Sequence, residues 1–357
     1  MKEKPSDRDR FKSYLRKIGS GAETSREMSR EESANALEIM LKGIPSPAQI
    51  GAFMIAHRIR RPEPQELAGM IDTYNSLGPT IYSNTKRTNP ICFGMPFDGR
   101  NKTSPIYPLT SLLLIESGQP VMLHGAGRMP VKYGVTTQEL FNALGLNLKG
   151  LSIQKVQEGF AQNGLALIYQ PDHFPLADTL ISFREDIGKR APIASMELIW
   201  TAHKGEHLLV SGFVHPPTES RHIQTLEILD EKNFLMIQGL EGSTDIPISR
   251  KSNATFVKGK AINKMRIDPS KYLGNDKEVK FENVTVWRSH AMEALKGAGP
   301  FYKSLLWNAG VYFWFAGVVE NIDKGIEKAQ VSIKSGAAQK TLERLISWRH
   351  HQESIDL

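Results

Sequence analysis

The chain has 357 residues, of which 40% are hydrophobic and 23% are charged, a composition that excludes a mostly disordered or fibrous protein. Its formal net charge of +7 favours anionic partners, such as nucleic acid or phosphorylated ligands. A single cysteine excludes an internal disulfide, and no apolar run approaches the roughly 20 residues of a membrane-spanning helix. We therefore expect a cytoplasmic protein without a membrane partner.

The first part of the chain predicts a helical domain. A capping box at Ser29 begins one helix, Pro47 stands at the first position of a second, and a third follows shortly after. Apolar stripes at residues 34–41 and 67–74 would face either an internal core or a second copy of the chain. We assign residues 1–85 to this domain.

After residue 85 short apolar runs alternate with helical stretches. Continuous apolar runs indicate strands that are buried on both faces, as is typical of parallel sheets. The alternation of such strands with helices predicts an α/β domain with a mainly parallel central sheet over residues 86–357. The predicted strands are residues 91–93, 121–123, 165–168, 208–210 and 234–237. The predicted helices are residues 106–117, 136–145, 152–162, 175–187, 192–202, 217–231, 301–316, 321–335 and 337–350.

Positive charge is concentrated late in the chain. Residues 249–280 contain nine Lys or Arg against three Asp or Glu, a local excess of +6. Such a field attracts nucleic-acid phosphates or a small phosphorylated ligand. The alternative is a solvated face of a basic protein.

Three parts of the chain contain short framework motifs: Glu32-Ser33-Ala34, residues 49–54, His124-Gly125, residues 140–145, Asn308-Ala309-Gly310, Gly325 and Ser335-Gly336-Ala337. Together these motifs resemble the anthranilate phosphoribosyltransferase superfamily. The resemblance spans about residues 28–348 and implies a fold of the nucleoside phosphorylase and phosphoribosyltransferase type. It also implies a cleft between two domains and a homodimer formed through the helical domains.

The motifs that hold substrate in this family are altered here. The family's Gly-Thr-Gly-Gly-Asp, whose bare backbone closes on the pyrophosphate of phosphoribosyl pyrophosphate (PRPP), aligns with residues 94–98, Gly-Met-Pro-Phe-Asp. Its Asn-Ile-Ser-Thr helix start becomes Pro-Ile-Tyr-Pro at 105–108, and its Lys before His-Gly becomes Leu123. Of the acidic pair that organises Mg²⁺, Asp245 remains, with Glu241 as a partial substitute. These changes predict weakened binding of PRPP and Mg²⁺.

The replacing residues resemble a divergent branch of the superfamily, the TrpD-like YbiB-type proteins, which is associated with nucleic-acid binding. On that resemblance, Lys and Arg would follow successive phosphates, while Phe97, Tyr107 and Tyr133 would either stack on bases or form groove wall. Arg184 stands where the family contacts the carboxylate of anthranilate, and an ion pair with neighbouring acids is its alternative role. The expected groove residues are Gly94, Asp98, Gly99, Arg100, Asn101, Lys102, Tyr107, His124, Gly125, Arg128, Lys132, Arg184, Arg250, Lys251 and Lys258.

Two histidines have the spacing of metal ligands. His203 and His207 are four residues apart, but Gly205 indicates a turn and no third ligand is evident, so zinc is not expected. Cys92 lies in an apolar predicted strand and is expected to be a small buried residue without a reactive role.

Three functions stay open, and no catalytic residue is assigned. The first is a protein that binds single-stranded DNA or RNA through a basic cleft. The second is a Mg²⁺-dependent transferase of phosphoribose from PRPP to anthranilate or another aromatic acceptor. The third is a transferase for a different phosphosugar or nucleobase, which the bulky loop at residues 95–97 would recognise.

Overall fold

A computed structural model of the protein describes residues 5–21, 23–83, 88–274 and 276–355, with side chains described as far as residue 352. Its N-terminal part is helical, as predicted, and the predicted domain boundary at residue 85 lies outside the described residues. The described residues of this part form four helices: α1 (Asp7–Gly19), α2 (Arg30–Leu41), α3 (Pro47–Arg60) and α4 (Pro64–Leu77).

Helices α2 and α4 pack closely against each other. The capping box predicted at Ser29 is present at the start of α2. Gly69 permits the close approach, because a Cβ atom there would lie 2.1 Å from the carbonyl oxygen of Arg30. Leu37 and Leu67, from the two predicted apolar stripes, are almost completely buried in the resulting core. These stripes are therefore internal, and they do not supply a free surface for a second copy.

The centre of the molecule is a seven-stranded sheet with the strand order β4-β3-β2-β6-β7-β8-β9. Its first five strands in that order are parallel, and β8 and β9 extend the sheet as an antiparallel hairpin. Strands β1 and β5 form a separate two-stranded parallel sheet. The strands are β1 (Ile81–Tyr82), β2 (Ile91–Gly94), β3 (Val121–Gly125), β4 (Leu165–Tyr169), β5 (His203–Lys204), β6 (Leu208–Gly212), β7 (Asn233–Ile237), β8 (Ser252–Lys258) and β9 (Ala261–Ile267).

Helices cover the sheet, and the predicted fold class is confirmed. The remaining helices are α5 (Tyr107–Glu116), α6 (Thr137–Ala143), α7 (Ile153–Asn163), α8 (Gln170–His173), α9 (Pro175–Asp178), α10 (Ile181–Ile187), α11 (Ile193–Met196), α12 (Pro216–Ile228), α13 (Val284–Leu295), α14 (Tyr302–Phe315), α15 (Ile322–Lys334) and α16 (Ala337–Ile355).

Two predicted helices are shorter than expected. The stretch 175–187 is divided between α9 and α10, and the stretch 192–202 is helical only over α11. After α11 the chain leaves the helical path, and the carbonyl oxygen of Leu198 would lie 1.9 Å from a Cβ atom placed on Gly94. This contact joins the segment to the end of β2.

Helices α10, α11 and α12 contact α3 and α4, so the α/β part of the chain packs directly on the helical part. The region between them lies beside the carboxyl ends of the parallel strands. Among the described residues, no helix has the length and apolar character needed to cross a membrane.

Candidate functional site

The carboxyl ends of the parallel strands form the candidate site. The loop after β2, the end of β3 and the segments that follow β6 and β7 meet at this edge. Ligands of open α/β sheets bind at this edge, where the strands end and the loops begin. Most of the residues predicted from the sequence do come together here.

The loop after β2 is filled by its own side chains. Met95 is buried, and its sulfur lies 3.4 Å from the hydroxyl of Thr244, which donates to it. Phe97 is buried against Ala126 and Met129. The cavity that remains between this loop, α5 and α6 has a volume of about 10 Å³. That volume is roughly the minimum for one water molecule, so the loop is part of the protein core.

Arg100 lies inside the protein and is only 1% exposed. Its guanidinium donates hydrogen bonds to the carboxylate of Asp245 and to the hydroxyl of Thr103. Its Nε atom lies 3.6 Å from the carboxylate of Glu241. The prediction that Arg100 lines an open groove is therefore wrong, because its charge is used in an internal ion-pair network.

The two carboxylates predicted to hold a metal are the partners of that guanidinium. Asp245 also accepts a hydrogen bond of 2.8 Å from the backbone N–H of Ile106 at the start of α5, and burial raises its pKa. Glu241 accepts bonds of 2.9 Å from both the N–H and the hydroxyl of Thr103, and further bonds from the N–H groups of Asn101 and Lys102.

Mg²⁺ needs about six oxygen ligands in open octahedral geometry, several of them usually water. Asp245 and Glu241 are nearly buried and are surrounded by hydrogen-bond donors, with the positive charge of Arg100 already between them. The arrangement does not fit a Mg²⁺ site.

Lys132 and Asp98 form the floor of the site. The ammonium group of Lys132 lies 3.2 Å from the backbone carbonyl of Glu241 and 4.0 Å from the carboxylate of Asp98. Burial lowers the pKa of Lys132. Asp98 is buried and also pairs with Arg190, which reaches it from the segment before α11. The predicted residues Lys132 and Asp98 are thus brought together, and Arg190 is a partner that the sequence did not indicate.

Tyr107 and His124 are core residues. Tyr107 is 3% exposed, its hydroxyl lies 2.9 Å from that of Thr137, and burial raises its pKa. His124 stands at the end of β3 beside Gly125, with its ring 4.9 Å from that of Phe97. Burial lowers the pKa of His124 to about 3, so the ring is neutral. The groove roles predicted for Tyr107 and His124 are wrong, because neither side chain reaches solvent.

Arg184 forms a buried ion pair with Glu197. Its guanidinium binds both carboxylate oxygens and also lies 3.2 Å from the sulfur of Met129. The ion pair predicted with a neighbouring acid, Glu185 or Asp186, is therefore wrong, because the partner is Glu197 in the segment after α11. The arginine is not positioned to bind an aromatic carboxylate.

The remaining predicted groove residues divide by location. Asn101 and Lys102 are exposed on the loop that follows Gly99, at the site. Arg128 is exposed and pairs with Glu139 at 2.8 Å on the surface. These residues are available to solvent at the edge of the site.

The basic hairpin β8–β9 does not lie on the site as a whole. Ser252, at the start of β8, is close to the carboxyl end of β7, with Arg250 and Lys251 just before it. Lys258, at the other end of β8, pairs with Asn233 at the amino end of β7. Seven strand residues span about 20 Å, so the prediction that Lys258 lines the groove is wrong.

A basic depression that the sequence did not predict opens between the helical part and α12. Its volume is about 730 Å³, and it continues into a narrower recess of about 190 Å³ above Asp98 and Glu241. The sequence contains one local indication of this depression, because two of its arginines belong to the basic run Arg-Ile-Arg-Arg at 58–61. We call it the arginine cleft, after its four arginines: Arg58, Arg61, Arg190 and Arg221.

Comparison with known proteins places this geometry in a family. Residues 12–78 match the helical-bundle domain of a glycosyl transferase family, and residues 108–339 match its a/b domain. An uncharacterized protein of Aquifex aeolicus is 26% identical, with 85% of this chain and 93% of that one covered. An anthranilate phosphoribosyltransferase of Verminephrobacter eiseniae is 22% identical, with 91% and 95% covered.

Solved structures show the same fold. The anthranilate phosphoribosyltransferase of Thermus thermophilus superposes with a TM-score of 0.79 at 20% identity, covering 96% of this chain and 99% of that one. The enzyme of Saccharomyces cerevisiae in complex with PRPP and Mg gives a TM-score of 0.80 at 15% identity, covering 96% and 98%. The chain therefore belongs to the glycosyl transferase family defined by these two domains, within the superfamily of anthranilate phosphoribosyltransferases.

Proposed function

We propose that this protein binds single-stranded nucleic acid through the arginine cleft and does not transfer phosphoribose. The observation that carries the proposal is a contrast within one site. The space after β2 is reduced to about 10 Å³ by Met95 and Phe97, whereas the adjoining arginine cleft is open, with about 730 Å³. A polyanion that runs along the surface can occupy the second space but not the first.

Several features of the closed space oppose the transferase alternative. The anthranilate phosphoribosyltransferase of Saccharomyces cerevisiae has been solved in one complex with PRPP and Mg and in another with 4-fluoroanthranilate. In this chain Pro96 lacks an N–H donor, and Leu123 is fully buried in the sheet beside Phe93. The start of α5 is occupied by Asp245, which leaves that helix terminus unavailable to a phosphate. The same features oppose transfer of another phosphosugar.

The open cleft supports binding of a phosphate backbone. Arg58 and Arg61 are exposed and Arg221 is half-buried, whereas Arg190 already pairs with Asp98. An arginine can pair with successive phosphates without reading bases. Tyr133 is 45% exposed on the segment between β3 and α6, at the carboxyl edge of the sheet, and its ring supplies one face on which a base can stack. The expected affinity is tolerant of sequence and depends strongly on salt.

The test is a fluorescence anisotropy titration with a labelled single-stranded oligonucleotide at several salt concentrations. Three arginine contacts to a single strand, from Arg58, Arg61 and Arg221, should give a slope of about −2 in a plot of log Kobs against log salt. Replacing Arg58→Glu and Arg61→Glu together should reduce that slope to about a third and weaken binding by at least about tenfold.

A matched control carries the same change in charge on the hairpin. Lys258 and Lys260 lie beside the amino end of strand β7, away from the arginine cleft. The double variant Lys258→Glu with Lys260→Glu should therefore leave binding nearly unchanged at the same salt. Equal loss in the two double variants would show that net charge alone attracts the oligonucleotide. Tighter binding of a duplex than of a single strand would also contradict the proposal.

Self-association through the helical part is a further proposal from the family resemblance. The apolar stripes on α2 and α4 are buried internally, so the contact surface would lie on another face of the helical part, away from the arginine cleft. The molar mass measured by light scattering should be twice that of the chain. A monomeric mass at micromolar concentration would contradict this proposal.

A further inference from the structure

One thiol and two imidazoles meet in a buried cluster towards the amino ends of β2 and β6. The cluster consists of Cys92 on β2, His203 on β5 and His207 directly before β6. Their candidate ligand atoms all lie within 4.8 Å of one another, and the three residues are 1%, 2% and 7% exposed. The cluster lies towards the opposite end of the strands from the arginine cleft.

The local fold explains why these side chains meet. Gly205 has a φ of 108°, a value that glycine adopts without strain, and it turns the chain after β5 so that His207 returns over His203. Cys92 pairs across the sheet with Leu209, two residues beyond His207. Residues two apart in an extended chain point to the same face, so the thiol and the ring of His207 face the same side.

The distance between the histidines matches a shared ion. The Nδ1 atoms of His203 and His207 are 3.3 Å apart. Two nitrogens that bind one tetrahedral zinc at about 2.0–2.1 Å are separated by about 3.3 Å. Without a metal, the Nδ1 atom of His207 also lies 2.9 Å from the carbonyl of Gly205, and the Nε2 atom of His203 has no hydrogen-bond partner among the described residues.

The carboxylate of Glu231 lies beside the cluster, next to His207. An oxygen of Glu231 lies 3.3 Å from Nε2 of His207, on the side of the ring away from His203. A carboxylate in this position orients a metal-bound histidine and strengthens it as a ligand. His207 also lines an open depression of about 720 Å³, so an ion has a route from solvent.

Before an ion binds, the ring of His203 and the thiol of Cys92 are both uncharged. Burial, together with the neighbouring His207, lowers the pKa of His203 to about 4, so its ring is neutral near pH 7. Burial raises the pKa of the Cys92 thiol to about 12, which keeps the proton on sulfur until a cation displaces it. Binding of the ion forms the metal–sulfur bond and releases this proton to solvent.

We propose that Cys92, His203 and His207 bind one Zn²⁺ ion, with water from the open depression in the fourth position. The spacing pattern indicated the two histidines alone, because the third ligand is 111 residues before the first of them in the chain. The ion would tie the small sheet of β1 and β5 to the main sheet. This inference is independent of the function proposed for the arginine cleft.

The test is a titration of the chelator-treated full chain with Co²⁺, followed by displacement with Zn²⁺. We expect one Co²⁺ per chain, visible d–d absorption of a tetrahedral site, and a near-ultraviolet thiolate-to-cobalt band. Cys92→Ser should abolish the thiolate band, and His207→Gln should weaken Co²⁺ affinity by at least about tenfold. The control His222→Gln removes another fully buried histidine, outside the cluster, and should leave the spectrum unchanged.

Zn²⁺ should also raise the Tm of the unaltered chain by a few degrees, which tests the site without a variant that has to fold. Absence of stoichiometric Co²⁺ binding to the unaltered chain would overturn the proposal. An identical cobalt spectrum in Cys92→Ser would overturn the assignment of the third ligand.

Discussion

At the scale of single residues, Arg100 determines the chemistry of the candidate site. It neutralises Asp245 and approaches Glu241 from inside the protein, where a metal would otherwise be needed to balance two carboxylates. The sequence could not show this, because the contact joins a loop after β2 to a turn 145 residues later. From the sequence alone an arginine is expected at the surface, where most arginines lie.

Removing this guanidinium should strongly destabilise the fold. Arg100→Ala leaves the buried carboxylate of Asp245 without its ion-pair partner, and we expect a loss of about 3–5 kcal/mol in the free energy of unfolding. Denaturant unfolding measures this value. Arg128→Ala is the control, because its exposed pair with Glu139 should contribute less than about 1 kcal/mol. Similar losses in the two variants would contradict the internal role of Arg100.

The same variant tests the magnesium argument. In Arg100→Ala the carboxylates of Asp245 and Glu241 lose the cation between them, so Mg²⁺ should raise the Tm of this variant but not that of the unaltered chain. Equal shifts in both proteins would show that the unaltered site already accepts the ion.

At the scale of elements, the five parallel strands were predictable and the hairpin was not. Strands β2, β3, β4, β6 and β7 are buried on both faces, so each reads as a continuous apolar run. Strand β9 lies at the edge of the sheet and has mostly exposed residues, two of which, Lys264 and Arg266, are charged. Its sequence therefore lacks an alternating pattern and reads as a charged surface segment.

The short helix α11 shows a second limit of local patterns. Residues 192–202 have helical periodicity, but the helix ends at Met196, and Glu197 then pairs with Arg184 in the interior. Tertiary contacts override the helical preference there.

The helical part depends on one buried carboxylate at the start of α4. Glu66 accepts hydrogen bonds from the N–H groups of Met28 and Glu63 and pairs with Arg60, while His57 lies 3.4 Å away. Burial alone would raise the pKa of Glu66, but the hydrogen bond and charge of His57 and the bond from Arg60 lower it from 4.5 to about 2.

This depressed pKa predicts acid lability. The ionised carboxylate favours the folded state, so its contribution of about 3 kcal/mol is complete above about pH 4.5 and is lost as the pH falls towards 2. Unfolding free energies of the unaltered chain and of Glu66→Gln should differ most above pH 4.5 and converge below it. Glu38→Gln, which alters an exposed pair with Lys42, is the control. A difference that stays constant with pH would contradict this assignment.

At the scale of the whole molecule, the family and the fold could be predicted from the sequence more completely than the site. Packing residues such as Gly310 and Gly325, whose helices α14 and α15 touch at that point, make the framework recognisable along the chain. The arginine cleft instead combines side chains from α3, α12 and the segment before α11, and no local pattern links them. Its position follows only from how the helical part packs on the sheet.

We propose that the space after β2, where the family resemblance would place PRPP, is closed in this chain. Isothermal titration calorimetry with PRPP, with and without Mg²⁺, tests it most directly. We predict no binding that requires Mg²⁺. Met95 and Phe97 fill that space, and Arg100 already neutralises the carboxylate of Asp245. Saturable micromolar binding of PRPP that appears only with Mg²⁺ would contradict it.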